Sequence, residues 1–265
     1  MKIGNVGRDV SRIGLGTWAI GGGPAFDGAD TEELGIQTIR TALDRGVNLV
    51  DTAPGYNFGR SEEIVGKAIV GRRDEYVLIT KCGLVWDAEG SFFNKVGDRV
   101  LNRSLAPDSI ARELDASLER IGTDYIDIYM THWPAIEPFD TPIAETLGYL
   151  MELKESGRIR GIGAANVTPD QVREYLEHGE LDVVQMRYSI LDRSVEQELM
   201  PLCLDNGVTV QAYSPLEMGI LAGAVPRGYI PPAGNARAGK KWFEPENLER
   251  ALDMLDAWEP LRQKY

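Results

Sequence analysis

Short apolar runs rich in Val, Ile and Leu recur along the chain, each ending in polar residues and most followed by an amphipathic stretch. This repeat restricts the possible folds more than any other feature. The runs are 13–18, Val47–Thr52, Tyr76–Lys81, Tyr125–His132, Ile159–Asn166, Val183–Ser189 and Val208–Ser214. Helical patterns lie between them, at Glu33–Asp44, Ser61–Val70, Pro107–Arg120, Pro142–Ser156, Thr168–Glu177 and Val195–Asn206. Several open on helix-start signals, such as Ser61 with Glu62 and Glu63 behind it, Pro107-Asp108, and Thr168-Pro169-Asp170. Strands that alternate with helices build a parallel sheet. No Gly-x-Gly-x-x-Gly turn leads from a strand into a helix: Gly14-x-Gly16 sits inside a strand pattern, and Gly21-Gly22-Gly23 runs into Pro24. Without that nucleotide fingerprint, a (β/α)8 barrel is expected rather than an open doubly wound sheet.

Seven units are visible. The seventh strand ends near Ser214, after which come a Gly-, Pro- and Arg-rich stretch over 219–239 and one helix pattern from Pro245 to about Arg262. No pattern for an eighth strand and its helix is found. An unclosed barrel exposes two parallel edges, so the expectation is that the natural chain continues past Tyr265. The 265 residues, 43% of them hydrophobic, suffice for one large core, and 1–265 reads as a single barrel domain.

Charge narrows the partners. With 28 basic and 41 acidic residues the net charge is −13, which repels phosphate backbones and anionic lipid, so no nucleic-acid and no membrane partner is expected. Cys82 and Cys203 are isolated thiols without metal-ligand spacing, so neither a disulfide framework nor a metal site is expected. No apolar run approaches the roughly 18 residues of a membrane span, and a cytoplasmic location is the default.

Barrel chemistry is built at the C-terminal ends of strands. Here the second strand ends at Asp51, with Tyr56 in the turn that follows; the third ends at Lys81, the fourth at His132 and the fifth at Asn166. Gln185 lies in the sixth strand and Tyr213 closes the seventh. Asp51 shares side-chain parity with Val47 and Leu49, Lys81 with Val77 and Ile79, and His132 with Ile126, Ile128 and Met130. Taken singly, each has a bland reading as turn former, snorkelling lysine or core imidazole. Jointly, an acid, an ammonium and an imidazole would point into one basin. A tyrosine with pKa near 10 is a poor acid at neutral pH, and a neighbouring Lys⁺ is expected to lower that value so that Tyr56 can donate a proton. Asp51 would hold the ammonium, and His132 would orient a carbonyl oxygen. Such a set polarises and protonates a C=O but contains no hydride source, so a cofactor must supply the reductant.

These residues carry a resemblance to the aldo-keto reductases. The matching segments are 14–18, Asp51-Thr52-Ala53-Pro54-Gly55-Tyr56, 59–68, Thr80-Lys81, Thr131-His132-Trp133, 161–166 and Gln211-Ala212-Tyr213-Ser214-Pro215-Leu216. The resemblance implies a (β/α)8 TIM barrel with an N-terminal β-hairpin plug over residues 1–12, reducing aldehydes or ketones with NADPH. It implies catalytic roles for Asp51, Tyr56, Lys81 and His132. Asn166 and Gln185 fall where the family holds the nicotinamide carboxamide, and Tyr213 where an aromatic ring stacks on the nicotinamide. Ser214, Pro215, Leu216 and Gly219 resemble the pyrophosphate-binding turn, and Gly16, Thr17 and Trp18 would approach the cofactor from the first strand. Ala165 replaces the serine that many members carry before the carboxamide-binding Asn. No counterpart of the segment that grips adenine and the 2′-phosphate is found, although Arg227, Arg237, Lys240 and Lys241 lie in the long loop after the seventh strand. The runs 14–23, 92–99 and 191–193, with Trp86, most resemble a bacterial branch that reduces methylglyoxal and other small aldehydes. Trp18, Trp86 and Trp133 are then candidates to line the pocket for a small-molecule carbonyl substrate. The rival reading is a non-enzymatic, cofactor-sensing regulatory subunit of the same family.

Overall fold

The computed structural model describes residues 1–4, 6–26 and 32–264. Seven parallel strands form one sheet: β1 (Gly14–Gly16), β2 (Leu49–Asp51), β3 (Val77–Cys82), β7 (Ile126–Thr131), β8 (Ile159–Ala165), β9 (Val183–Arg187) and β10 (Thr209–Tyr213), hydrogen-bonded in that order. The connecting helices are α1 (Glu32–Asp44), α2 (Arg60–Ile69), α3 (Pro107–Ile121), α4 (Ile143–Glu155), α5 (Pro169–His178) and α6 (Leu199–Asp205). α5 starts as its sequence requires: the Thr168 hydroxyl accepts from Gln171 N at 3.2 Å while Thr168 N donates to the Gln171 side chain at 2.9 Å, a reciprocal capping box.

The parity expectation holds. Leu49, Val77, Ile79, Ile128, Met130, Ala165 and Val183 form an inner cluster, while Val50, Leu78, Tyr129 and Val184 belong to a separate outer cluster with the helices. Ile126 is the exception and packs outward. A single parallel sheet with one core inside its curvature and another under the helices is a barrel wall, nearly closed by seven strands. Each such side chain contributes roughly 1.5–3 kcal/mol relative to exposure. The bottom is plugged by Ile3, Val6 and Val10, all buried in the inner cluster. Met1 and Val10 exchange hydrogen bonds at 2.7 and 2.8 Å, so the expected hairpin is reduced to one bonded pair, without assigned strands among the described residues.

Three differences from the sequence reading have clear causes. Val195–Asn206 is a 3-10 turn at Ser194–Glu196 followed by α6, because Pro201 cannot donate within a continuous helix. The last helix pattern splits into α7 (Pro245–Ala257) and α8 (Glu259–Lys264), since Pro260 tolerates only a fresh first turn. Between β3 and α3 stands a small antiparallel sheet of β4 (Leu84–Val85), β5 (Ser91–Val96) and β6 (Arg99–Arg103), in the order β4-β6-β5. Its two-residue turn is Gly97-Asp98, with Gly97 at φ +60. Among the described residues no eighth parallel strand follows β10. Residues 218–255 instead gather a satellite core around Ile220, Val225, Phe243 and Leu248.

Candidate active site

The ends of β2, β3 and β7 bring the expected residues together. Lys81 is fully buried, and its ammonium donates to Asp51 Oδ1 at 2.7 Å, Thr52 O at 2.9 Å and Tyr56 Oη at 3.0 Å. All three of its donors are satisfied, which is the condition for burying an ammonium at all. Asp51 Oδ2 accepts from Gln185 Nε2 at 2.6 Å, reaching across from β9. His132 packs edge-on to Tyr56, ring centroids 5.7 Å apart, and its Nδ1 is buried with no partner among the described residues.

Beneath this group lies a hydroxyl cluster that the sequence reading did not find. Ser61 Oγ lies 2.7 Å from Thr17 Oγ1 and 3.0 Å from Thr52 Oγ1, and Thr17 donates from both N and Oγ1 to Asp51 O at 2.9 and 3.0 Å. Of the three hydroxyls only Thr17 sits in an otherwise apolar run and gives a signal in the sequence; Ser61, beside Arg60 and Glu62, and Thr52, beside Asp51, do not. Together the three fix the backbone at Asp51 and Thr52, and so the carboxylate and carbonyl that hold Lys81. The outward neighbours of Lys81 are fixed too. Thr80 donates to the buried Glu62 at 2.5 Å, Arg120 holds the other Glu62 oxygen at 2.7 Å, and Glu113 accepts Gly83 N at 2.9 and 3.1 Å. Gly83 has φ +93, a conformation that a side chain would strain, and this turns the chain off β3.

Electrostatics correct one expectation. Burial pushes the Tyr56 pKa up, and the Lys81 charge offsets only part of that, so the net direction is upward rather than the expected lowering. Tyr56 is therefore a protonated phenol at neutral pH. Burial alone would pull Lys81 down, but Asp51 and Tyr56 outweigh it and the ammonium stays charged. Burial first, and the Lys81 charge second, hold His132 well below the usual histidine range, so its imidazole is neutral. The set is a loaded proton donor, a fixed cation and a neutral hydrogen-bonding ring.

The residues expected to hold a nicotinamide cofactor surround this group. Asn166, at φ +60 just past β8, donates to His132 O at 2.9 Å and accepts from Tyr213 Oη at 2.8 Å. One N–H and one lone pair of its amide remain, the complement of a carboxamide. A Cβ on Gly16 would meet nothing within 4 Å, which leaves room above β1 for a planar group. These observations fit a nicotinamide at the barrel mouth. Gln185 faces Asp51, and Ala165 is buried with no hydroxyl to offer. The turn after β10 is unusual: Ser214, Glu217 and Met218 all have positive φ, costing about 1–3 kcal/mol each. A second network missed by the sequence reading locks it, because the fully buried Glu217 carboxylate pairs with Arg187 and accepts from Ser189. Pro215 and Leu216 lie exposed on the turn, and the Arg237 guanidinium approaches Gly219 while its Nε donates to Met218 O at 3.1 Å. Arg227 is not free for phosphate: Glu249, Asp253 and Asp256 surround it at 2.6, 2.8 and 2.5 Å.

The three tryptophans are not equivalent. Trp18 lies 6.4 Å from the Tyr56 ring and is 40% exposed at the mouth. Trp86 packs on Phe58 at 5.5 Å and Trp133 on Phe93 at 5.4 Å, whereas Trp18 is the tryptophan that reaches the Tyr56 ring.

The profile of the Aldo/keto reductase family matches residues 12–265. The chain is 57% identical over 266 residues to the NADH-specific methylglyoxal reductase of Escherichia coli (strain K12), an alignment spanning 100% of this chain and 81% of that protein. Among solved structures it is similar to a glycerol dehydrogenase from Gluconobacter oxydans, with TM-score 0.85 and 34% identity, covering 99% of this chain and 77% of the other. It is also similar to an aldo-keto reductase from Klebsiella pneumoniae in complex with NADPH, with TM-score 0.66 and 30% identity, covering 79% and 66%.

Proposed function

The chain belongs to the aldo/keto reductase family, and from that membership we propose that it reduces methylglyoxal and similar small aldehydes to alcohols with NADH. The observation that carries this reading is Lys81 Nζ held between Asp51 Oδ1 at 2.7 Å and Tyr56 Oη at 3.0 Å. A reduced nicotinamide supplies hydride to the carbonyl carbon. Tyr56 gives its phenolic proton to the carbonyl oxygen, which is why a raised pKa suits the resting state: the proton is in place before the substrate arrives. Because Lys81 donates to Tyr56 Oη rather than accepting from it, the phenolic hydrogen is left to point elsewhere. Once that proton leaves, the same ammonium stabilises the phenolate. Asp51 keeps the ammonium charged, and the neutral His132 donates a hydrogen bond that orients the carbonyl. Asn166 and Tyr213 would hold the nicotinamide, Gly16 and Trp18 would border it, and the turn Ser214–Gly219 would receive the pyrophosphate, whereas Thr17, expected beside the cofactor, is fully buried and serves to fix Asp51 O instead.

NADH replaces the NADPH expected from the sequence for two reasons. The 57% identical relative is named for NADH, and of the four loop cations Arg227 is committed to three carboxylates and Arg237 braces Met218, leaving only the exposed Lys240 and Lys241. We also read 1–265 as one barrel domain. No described helix is long and apolar enough to cross a membrane, and a cytoplasmic site of action is proposed from the two buried, unpaired thiols. The test is kcat/KM for each dinucleotide with methylglyoxal. NADH is expected to exceed NADPH by at least about tenfold, close to 1.4 kcal/mol of discrimination. Equal or reversed values reject NADH, and no turnover with any small aldehyde rejects the reductase reading.

A further inference from the structure

β6 carries two arginines that stack on rings close in the chain to the proposed proton donor and imidazole. At one end the Arg99 guanidinium lies over the Phe58 ring at 4.8 Å, and Phe58 is two residues beyond Tyr56. At the other end Arg103 lies over Phe93 at 5.0 Å and over Trp133 at 5.2 Å, and Trp133 directly follows His132. Arg99, Leu101 and Arg103 share one face of the strand, so one short element sets two cations against rings that lie one and two residues along the chain from His132 and Tyr56.

Neither arginine has a carboxylate within 4.0 Å among the described residues, in a chain with 41 acidic side chains where most arginines are paired. Arg103 Nε is buried without a partner, and NH1 reaches only Pro134 O at 3.4 Å. A guanidinium has five N–H donors in a planar fork suited to an oxyanion, and leaving one buried and unmade is costly. The aromatic faces hold the cation without neutralising it. A net charge of −13 repels anions at long range, so an anionic substrate needs a local cationic entry.

We propose that Arg99 and Arg103 select carbonyl substrates bearing an anionic group, a carboxylate or a phosphate, and steer that group to the β6 side while the carbonyl meets Tyr56. The proposal rests on the reductase reading and names its substrate class. It assigns the two arginines specificity rather than catalysis, and Phe93 and Trp133 the role of positioning Arg103.

The test compares methylglyoxal with glyoxylate, succinic semialdehyde and glyceraldehyde 3-phosphate in the wild-type chain and in Arg99→Met, Arg103→Met and Arg103→Lys. Both Met variants are expected to lower the ratio of anionic to neutral kcat/KM by at least about tenfold, mainly through KM, with Lys restoring part of it. In the wild type, raising salt from about 50 mM to about 500 mM should raise KM for the anionic substrates more than for methylglyoxal. The larger ratio among the arms says whether carboxylate or phosphate is preferred. A ratio unchanged within about twofold, or equal losses for neutral and anionic substrates, shows a structural clamp and overturns the proposal. Saturable quenching of tryptophan fluorescence by glyoxylate, read without turnover, separates the two readings. Quenching lost in Arg103→Met while no aldehyde is reduced supports the anion site and sinks the reductase, whereas wild-type quenching in Arg103→Met sinks the anion site.

Discussion

Replacing Asp51 by Asn leaves the shape of the site and removes the counter-charge of a fully buried ammonium. Lys81 would keep two neutral acceptors, Thr52 O at 2.9 Å and Tyr56 Oη at 3.0 Å, so the loss falls at the lower end of the range for breaking a buried pair, about 3 kcal/mol. For a domain of this size that lowers Tm by about 6–12 °C near neutral pH. The pH dependence gives the decisive sign. In the native chain Lys81 is raised above its ordinary 10.5: burial opposes this, and Asp51 and Tyr56 outweigh it. Its contribution is therefore present below 10.5 and lost as pH climbs through the folded value. In Asp51→Asn burial dominates, the folded pKa drops below 10.5, and the native state binds fewer protons than the unfolded one, so the variant gains stability with pH. The gap between the two proteins must narrow from about pH 7 to about pH 10. Scanning calorimetry at both values measures it. A loss under about 1 kcal/mol, or a gap that does not change with pH, refutes the reasoning.

Two further outcomes follow from buried carboxylates. Burial pushes the Glu113 pKa from 4.5 up to about 8, against the pull of Gly83 N–H, so its contribution to stability is present below 4.5 and lost as pH rises through about 8. Glu113→Gln should match the wild type near pH 5 and exceed it near pH 9, by roughly 2 kcal/mol once partial solvent access is allowed for, as read by urea unfolding. Glu217→Gln weakens the pairing with Arg187 that holds the strained turn Ser214–Gly219, so dinucleotide Kd should rise about tenfold while unliganded Tm falls by a few degrees, as read by fluorescence titration and thermal melts.

Why so much of this was readable, and the rest not, comes down to where the information sits. Parallel strands are covered on both faces and appear as continuous aliphatic runs, so all seven were located within a few residues, from Ile126–Thr131 to Val183–Arg187. Asp51, Lys81 and His132 stood out because a charged or polar residue ends each run. The β5–β6 hairpin was missed because Asn94, Lys95 and Arg99 hide its alternation and only one of its faces is covered. Glu217 was not legible because an acidic residue in a turn reads as solvated; its burial depends on Arg187 and Ser189 arriving from another strand. The direction of the Tyr56 shift was beyond the sequence for the same reason. Its sign is the difference between burial and the Lys81 charge, and only coordinates weigh the two.

Hydride transfer from NADH to methylglyoxal in a single turnover, compared between the wild type and Tyr56→Phe, addresses the assigned proton donor itself. A fall of at least about 100-fold in the transfer rate with unaltered dinucleotide Kd is predicted. A Tyr56→Phe rate within about threefold of the wild type contradicts the account.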